Sequence, residues 1–185
     1  MNATLAQWHT EHVNFAKLLD LLDSQLDLFH RGDTPHYELM LDIMFYMTHY
    51  PDAMHHPKED LAFARIRERD MSMARVVDTL ARQHADLHNR GGNLVTSLSD
   101  IVNGSMASRS SVETPAREYV AVFREHMNVE ERDILPAAEH LLRDSDWSAI
   151  SAAIRHIDDP LFGRNAESRY AAIEEHLERQ GAVAR

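Results

Sequence analysis

Two short patterns, His55–Glu59 and His126–Glu130, place an imidazole and a carboxylate four residues apart. On a helix this spacing puts both side chains on one face, one turn apart. Imidazole nitrogen and carboxylate oxygen together suit iron, zinc or manganese. The sequence contains 13 histidines and no cysteine, so any metal would be held without thiolate ligands. The patterns therefore predict a metal site of histidine and carboxylate.

The stretch MHHPKED, residues 54–60, offers two histidines of which helical periodicity favours one. His55 shares its face with Met44, Met47 and Glu59, which is a largely apolar stripe. His56 shares its face with His49, Asp52 and Asp60, among others, which is a wetter stripe. We expect His55 and Glu59 to point inward. His56 remains a further candidate, because Pro57 can shift the helical register.

The same test places histidines on the apolar faces of three other helices. His12 lies on the core face of the first helix, and His84 and His88 lie four apart on the core face of the third. His126 and Glu130 share the apolar face of the fourth helix. A lone buried glutamate is costly to ionise unless it is paired or bound to metal. Glu131 lies further round, so we expect it to be solvated.

Four long helical patterns position these residues, over about residues 4–29, 35–69, 73–102 and 114–143. Short connections between them favour an all-α, up-down-up-down four-helix bundle. The patterns after residue 144 are short, so we expect residues 1–143 to form the bundle. Residues 144–185 would form a C-terminal extension of short helices that packs on the same domain. Antiparallel neighbours then bring the inward histidines and glutamates of helices two to four to one level, with His12 within one or two turns of it.

Composition excludes several kinds of partner. The formal charge of −11 argues against nucleic acid and anionic membranes. No apolar run approaches the length of a membrane span, and the first residues lack the basic and apolar regions of a signal peptide. We therefore expect a cytoplasmic protein that binds neither nucleic acid nor a membrane, as a monomer or a homodimer.

The residues named above, with YPD before HHPKED, QHADL in the third helix and EHMNVEERDILP in the fourth, resemble the hemerythrin family. The chain is most similar to bacterial proteins with an HHE cation-binding domain, over about residues 4–142. The resemblance implies a non-haem di-iron centre, with an oxo or hydroxo bridge. Its implied metal ligands are His12, His55, Glu59, His84, His126 and Glu130, with both glutamates bridging the irons.

The resemblance leaves three further candidates, His56, His88 and Glu131. Oxygen-carrying hemerythrins use five histidines, two of them four apart on the third helix, so His88 is either the fifth ligand or a buried neighbour. In those carriers the last carboxylate stands five positions after its histidine, which matches Glu131 rather than Glu130. Four histidines would leave two of twelve coordination positions open on two octahedral irons, whereas five would leave one.

These ligands make small-molecule binding the leading functional hypothesis. The resemblance implies binding or sensing of dioxygen, or of nitric oxide or peroxide, rather than a dedicated enzyme. A di-iron peroxidase or oxidase is the first alternative. Iron handling or repair is the second, although proteins of that kind carry a cysteine-bearing N-terminal domain that does not occur in this sequence. A metal-free helical scaffold is the last.

Overall fold

The computed structural model describes residues 2–179 and residue 181, and the regular structure of these residues is helical throughout. Its α-helices in chain order are α1 Ala3–Arg31, α2 Tyr37–Tyr50, α3 His56–Arg69, α4 Ala74–Val102, α5 Arg109–Val129, α6 Leu135–Leu141, α7 Asp144–Ala153 and α8 Ala171–Arg179. Two π-helical segments, Pro51–His55 and Glu130–Ile134, join α2 to α3 and α5 to α6.

These elements form the four arms of a bundle. The first arm is α1 and the third is α4, whereas the second (α2, π segment, α3) and the fourth (α5, π segment, α6) are each interrupted. Neighbouring arms pack along α1 and α2, α2 and α4, α4 and α5, and α5 and α1. The predicted all-α four-helix bundle is confirmed.

Helix ends follow local capping, with one correction to the predicted bounds. Gly32 ends α1 in the left-handed conformation, at φ 79°, where a residue without a Cβ is favoured. The fourth arm begins at Arg109, several residues before the predicted start at Thr114. The reason is that the Ser108 side chain accepts a hydrogen bond from the Ser111 backbone N–H and so caps the first turn. Pro115 consequently lies inside α5.

The bundle core consists of two apolar clusters, one on each side of a polar layer. The larger cluster includes Phe15, Met47, Leu87 and Phe123. The smaller cluster lies toward the other end of the bundle and includes Trp8, Phe63, Leu80 and Ile134. On each arm, the six residues of the implied ligand set fall between members of these two clusters, namely His12, His55, Glu59, His84, His126 and Glu130. The polar layer is therefore sealed by hydrophobic packing on both sides.

Close approach between α2 and α4 depends on a glycine. A Cβ placed on Gly91 would lie 2.4 Å from Thr48 Cγ2 and 3.3 Å from Tyr119 Cε2, whereas one on Gly92 would meet nothing within 4 Å. Both glycines remain inside α4. Gly91 thus lets the second and third arms approach closely just beyond the polar layer.

The segments after residue 144 pack against the bundle. The Trp147 ring of α7 meets the Trp8 ring edge-on at 5.8 Å, and Ile173 and Leu177 of α8 join the larger apolar cluster. The last residues of the predicted extension, 182–185 and residue 180, lie outside the described part of the chain. Among the described residues, none of the helices combines the length and apolar character needed to cross a membrane.

Candidate metal centre

Seven side chains from all four arms converge in the polar layer. Each is at most 7% exposed, and they are His12, His55, His56, Glu59, His84, His126 and Glu130. All six residues of the predicted ligand set are among them, and His56 is the addition. The level arrangement expected from the helix lengths therefore holds, and His12 lies on it too, because its Nε2 is 3.0 Å from Nε2 of His55.

Six of the seven side chains form two groups whose ligand atoms are close enough together to hold a metal ion. One group is His56, Glu59, His84 and His126, and the other is His12, His55 and Glu59; the ligand atoms within each lie within 4.8 Å of one another. Glu59 belongs to both groups. Glu130 also reaches both, since its carboxylate oxygens lie 3.1 Å from His126 Nε2 and 3.4 Å from His12 Nε2. Two carboxylates thus stand between two sets of imidazoles.

Each inner histidine is hydrogen-bonded to an acceptor on the side of its ring that points away from the centre. In every case Nδ1 faces the acceptor, which leaves Nε2 directed toward the centre. The pairs are His12 with Glu131 at 2.7 Å, His55 with Glu11 at 2.6 Å, His56 with Asp52 at 3.0 Å, His84 with Asp60 at 2.9 Å and His126 with Gln83 at 3.2 Å. Such partners fix the tautomer and the ring orientation of a metal-binding histidine.

The π segment at Pro51–His55 explains why two adjacent histidines face inward. The His56 backbone N–H bonds to the Pro51 carbonyl five residues earlier, so this turn contains one residue more than an α-helical turn. The extra residue brings both His55 and His56 to the core side, where they are 2% and 4% exposed. The prediction that His56 lies on a wetter face is therefore wrong, because it assumed an unbroken α-helical period.

The fourth arm has the same kind of interruption, which begins four residues after His126. Its π segment begins at Glu130, whose side chain is fully buried, while the next side chain, Glu131, is 33% exposed. Glu130 therefore faces the centre, as expected. Glu131 is neither a member of the inner groups nor merely solvated, because it bonds to the outer nitrogens of both His12 and His9.

His88 is not part of the centre. Its side chain is 68% exposed, and its Nδ1 lies 2.7 Å from Asp52. The prediction of a core-facing His88 is wrong, because the apolar face of α4 is narrower than the stripe that was assumed. The carboxylate Asp52 links the two histidines, since its other oxygen bonds to His56. The fifth inner imidazole comes from the second arm instead of the third.

Four partners behind the histidines were missed by sequence reasoning, namely Glu11, Asp52, Asp60 and Gln83. Spacing offered a sign of one of them, because Asp52 and His56 are four residues apart. Glu11, Asp60 and Gln83 each directly adjoin a predicted ligand in the sequence. They act on histidines of other arms, so only the packing of the arms reveals their role.

Opposite charges dominate the electrostatics of the centre. Burial would raise the pKa of Glu59, but the neighbouring His55 and His12 hold it well below its usual value. Burial and the charge of Glu59 would likewise raise the pKa of Glu130, yet His126 and His84 lower it to about 2. Both carboxylates are therefore ionised at neutral pH.

The pKa values of the inner histidines are shifted in both directions. Burial would lower the pKa of His55, but the charge of Glu59 and the hydrogen bond with Glu11 raise it to about 10. His84, which is hydrogen-bonded to Asp60 and lies 3.6 Å from Glu130, has its pKa raised to about 9 in the same way. For His56 burial prevails and lowers the pKa to about 4, in spite of Asp52. Its inner nitrogen is therefore an unprotonated base at neutral pH, which is the form that binds a metal.

Most of the ligand atoms at the centre do not satisfy one another by hydrogen bonding, but they could coordinate a cation. Among the described residues, the buried side-chain atoms without a hydrogen-bond partner are Nε2 of His56, His84 and His126 and both oxygens of Glu59 and Glu130. Buried polar atoms in native proteins are nearly always satisfied, and each exception costs about 1–3 kcal/mol or more. Here all the exceptions belong to the two inner groups and to Glu130, which lies between them. Metal coordination would satisfy them together.

A helical bundle with histidine and carboxylate ligands projecting inward from every arm defines a class of metal-binding protein. The family model of the hemerythrin HHE cation-binding domain matches residues 3–138, which is most of the chain, and the chain belongs to this family. Searches of curated proteins and of solved structures found no match.

Proposed function

We propose that this protein is a non-haem di-iron protein that binds or senses dioxygen or a related small molecule, such as nitric oxide or peroxide. The observation that supports this most strongly is the meeting of five imidazoles and two carboxylates in two adjacent groups with a shared carboxylate. One metal ion would explain only one group. Two ions with Glu59 and Glu130 between them account for the whole set.

The proposed ligands follow the two groups. His56, His84 and His126 would hold one ion and His12 and His55 the other, with both glutamates bridging. Nitrogen and oxygen donors without thiolate suit iron in both of its common oxidation states. When bound, the metal pair supplies the redox change on which reversible gas binding depends. Zinc, which has no such change, would fill the same ligands without that property.

The fifth histidine restricts how many positions remain open. Two octahedral ions offer twelve positions, of which five imidazoles and two bridging carboxylates fill nine and a bridging oxygen fills two. One position would remain, on the ion that His12 and His55 would hold. A single open position suits reversible binding of one small molecule. His56 thereby supports the role that the sequence analysis assigned to a fifth histidine.

The rings around the open side exclude water. The Phe15 ring meets His55 edge-on at 5.1 Å and the Trp8 ring does so at 6.3 Å, and both side chains are fully buried. A hydrophobic surround of this kind controls solvent access to a metal site. Such a surround would keep bulk water and large polar substrates away from the open position.

Visible absorption of the iron-loaded protein tests this function. The protein is loaded with Fe(II) without oxygen, then air is admitted and removed. We expect a band that appears in air and disappears on deoxygenation, over several cycles. The zinc-loaded protein is the matched control and should show no band. A band that appears once and persists would contradict reversible binding, and an unchanged spectrum would contradict small-molecule binding altogether.

One contact favours the second candidate, a di-iron enzyme that reduces peroxide. The Tyr50 hydroxyl donates to Glu11, and Glu11 bonds to His55 of the proposed site. A tyrosine linked in this way offers an electron source close to the metals, which a simple carrier does not need.

A further inference from the structure

A chain of hydrogen bonds connects Tyr50 with the candidate metal centre. The Tyr50 hydroxyl donates to Glu11 Oε1 at 3.1 Å, and Glu11 Oε2 lies 2.6 Å from Nδ1 of His55. The opposite nitrogen of His55 faces the centre, 3.0 Å from Glu59. The phenol, the carboxylate and the imidazole thus form one continuous path from the side of the bundle to the inner groups.

Glu11 is held in a fixed position on this path. Its Oε1 also accepts a hydrogen bond from Gln7 Nε2 at 2.8 Å, and its side chain is 7% exposed. A carboxylate within hydrogen-bond distance of a phenol can accept the phenolic proton. Oxidation of Tyr50 would therefore not leave a buried cationic phenol, because the proton has an acceptor in place.

The path is open to small molecules at its outer end. Tyr50 and Glu11 line a surface cavity of about 510 Å³ between α1 and the turn near Asp159. Cavities of about 300–1,000 Å³ accommodate small organic ligands. Thr10 and Asn14 line the same cavity and offer hydrogen bonds to hydroxyl groups. The cavity therefore suits a small hydroxylated molecule that touches the Tyr50 ring.

We propose that Tyr50 is a redox-active residue that passes single electrons from a small reductant in this cavity to a peroxide reduced at the metal centre. The reductant class is a phenol or an ene-diol, which gives up one electron and one proton at a time. Glu11 holds the phenolic proton while Tyr50 is oxidised. This inference rests on the proposed di-metal site and adds an electron route to it.

The electrons and protons of the reaction balance. Hydrogen peroxide takes up two electrons and two protons and becomes two molecules of water. In each of two rounds, Tyr50 gives one electron to the centre and its proton to Glu11, leaving a neutral phenoxyl radical. The reductant then returns one electron to the radical, and Glu11 returns the proton. Two reductant molecules become radicals and release to solvent the two protons that peroxide consumes.

Tyr46 provides a matched comparison within the same helix. Its hydroxyl also donates to a carboxylate, Asp159, at 2.9 Å, and its ring stacks on Tyr50 with centroids 5.6 Å apart. Asp159, however, accepts hydrogen bonds from the backbone N–H groups of Leu161 and Phe162 and does not bond to an inner histidine. Tyr46 therefore shares the chemistry of Tyr50 but lacks the link to the centre.

Electron paramagnetic resonance of the iron-loaded protein tests the proposal. The protein is mixed with excess hydrogen peroxide without reductant and frozen within milliseconds to seconds. We expect a tyrosyl radical that Tyr50→Phe abolishes and Tyr46→Phe retains, with iron content unchanged in both variants. Ascorbate, an ene-diol, should remove the radical from the wild-type protein. Spin trapping and peptide mass spectrometry of the wild-type protein should place the adduct on Tyr50.

The same experiments distinguish a wrong role for Tyr50 from a wrong metal centre. A radical that persists in Tyr50→Phe, or an adduct on another residue, would overturn the role of Tyr50 while bound iron left the metal centre intact. The same holds if iron-loaded wild-type protein consumes peroxide without forming a tyrosyl radical. Should Tyr50→Phe fail to fold, the adduct position in the wild-type protein decides. Absence of bound iron in the wild-type protein would overturn both proposals.

Discussion

At the scale of single residues, the centre consists of histidines that are each paired with a hydrogen-bond acceptor. Every inner histidine faces inward through Nε2 and is held through Nδ1 by an acceptor, which is a carboxylate in four cases and the Gln83 amide in the fifth. Such partners raise the basicity of the histidine and limit its rotation. The affinity of the centre therefore depends on residues that touch no metal.

Asp60 is the partner best suited to a test of this dependence. Its carboxylate lies 2.9 Å from His84 Nδ1, and its side chain is half exposed, so a substitution does not disturb the core. Asp60→Asn should lower metal affinity by about 10–100-fold, because the amide lacks the charge that supports the ring. Titration against a competing chelator measures this. Asp78→Asn, whose carboxylate pairs with the exposed Arg67, is the control and should leave the affinity unchanged.

His56 and His88 distinguish the structure from the simple helical pattern. His56→Ala should remove one imidazole from the larger group and reduce bound metal below two ions per chain. His88→Ala should retain both ions, because the His88 side chain is 68% exposed and its hydrogen-bond partner among the described residues is Asp52. Metal analysis of the two purified variants decides. Loss of metal in the His88 variant with retention in the His56 variant would contradict this assignment.

At the scale of elements, two π segments determine what faces the centre. The four arms, the inward direction of His12, His84 and His126 and the choice of Glu130 could be predicted, because amphipathic patterns follow an α-helical period. His56 could not, because one extra residue in the Pro51–His55 turn rotates everything after it. Sequence periodicity does not show where such a turn falls. π segments of this kind are frequent at functional sites.

Gly91 tests how closely α2 and α4 must pack. Gly91→Ala should destabilise the fold by about 1–3 kcal/mol, because the new methyl group would overlap Thr48 Cγ2, and a β-branched residue within a helix adjusts little. Gly92→Ala is the matched control and should stabilise α4 by about 0.5–1 kcal/mol, since nothing lies near its Cβ. Denaturant unfolding measures both. Equal effects of the two substitutions would show that the arms do not meet closely here.

At the scale of the whole molecule, a polar layer lies between two apolar clusters, and both clusters extend across all four arms. The level of this layer could be predicted from helix lengths, because antiparallel neighbours keep their ligands at equal distances from the shared turn. The acceptors behind the histidines could not, because Glu11, Asp60 and Gln83 act across arms. The layer's unpartnered atoms cost stability unless a cation satisfies them.

Metal removal should therefore destabilise the entire fold. A ligand that binds only the folded state at about 100 times its Kd adds about 2.7 kcal/mol. We expect the chelated protein to unfold at a lower temperature than the metal-loaded one, in thermal scans followed by circular dichroism. His126→Ala, which removes an inner ligand, should show a much smaller difference between its two states. An equal difference in the variant would mean that the stabilising metal binds elsewhere.

Iron stoichiometry after anaerobic loading is the most direct test of the di-metal centre. The protein is loaded with excess Fe(II), freed of loosely bound metal by gel filtration, and analysed for iron and protein together. Two inner groups with shared carboxylates predict two irons per chain. One iron per chain would mean that the groups act as a single site, and no bound iron would contradict the metal centre itself.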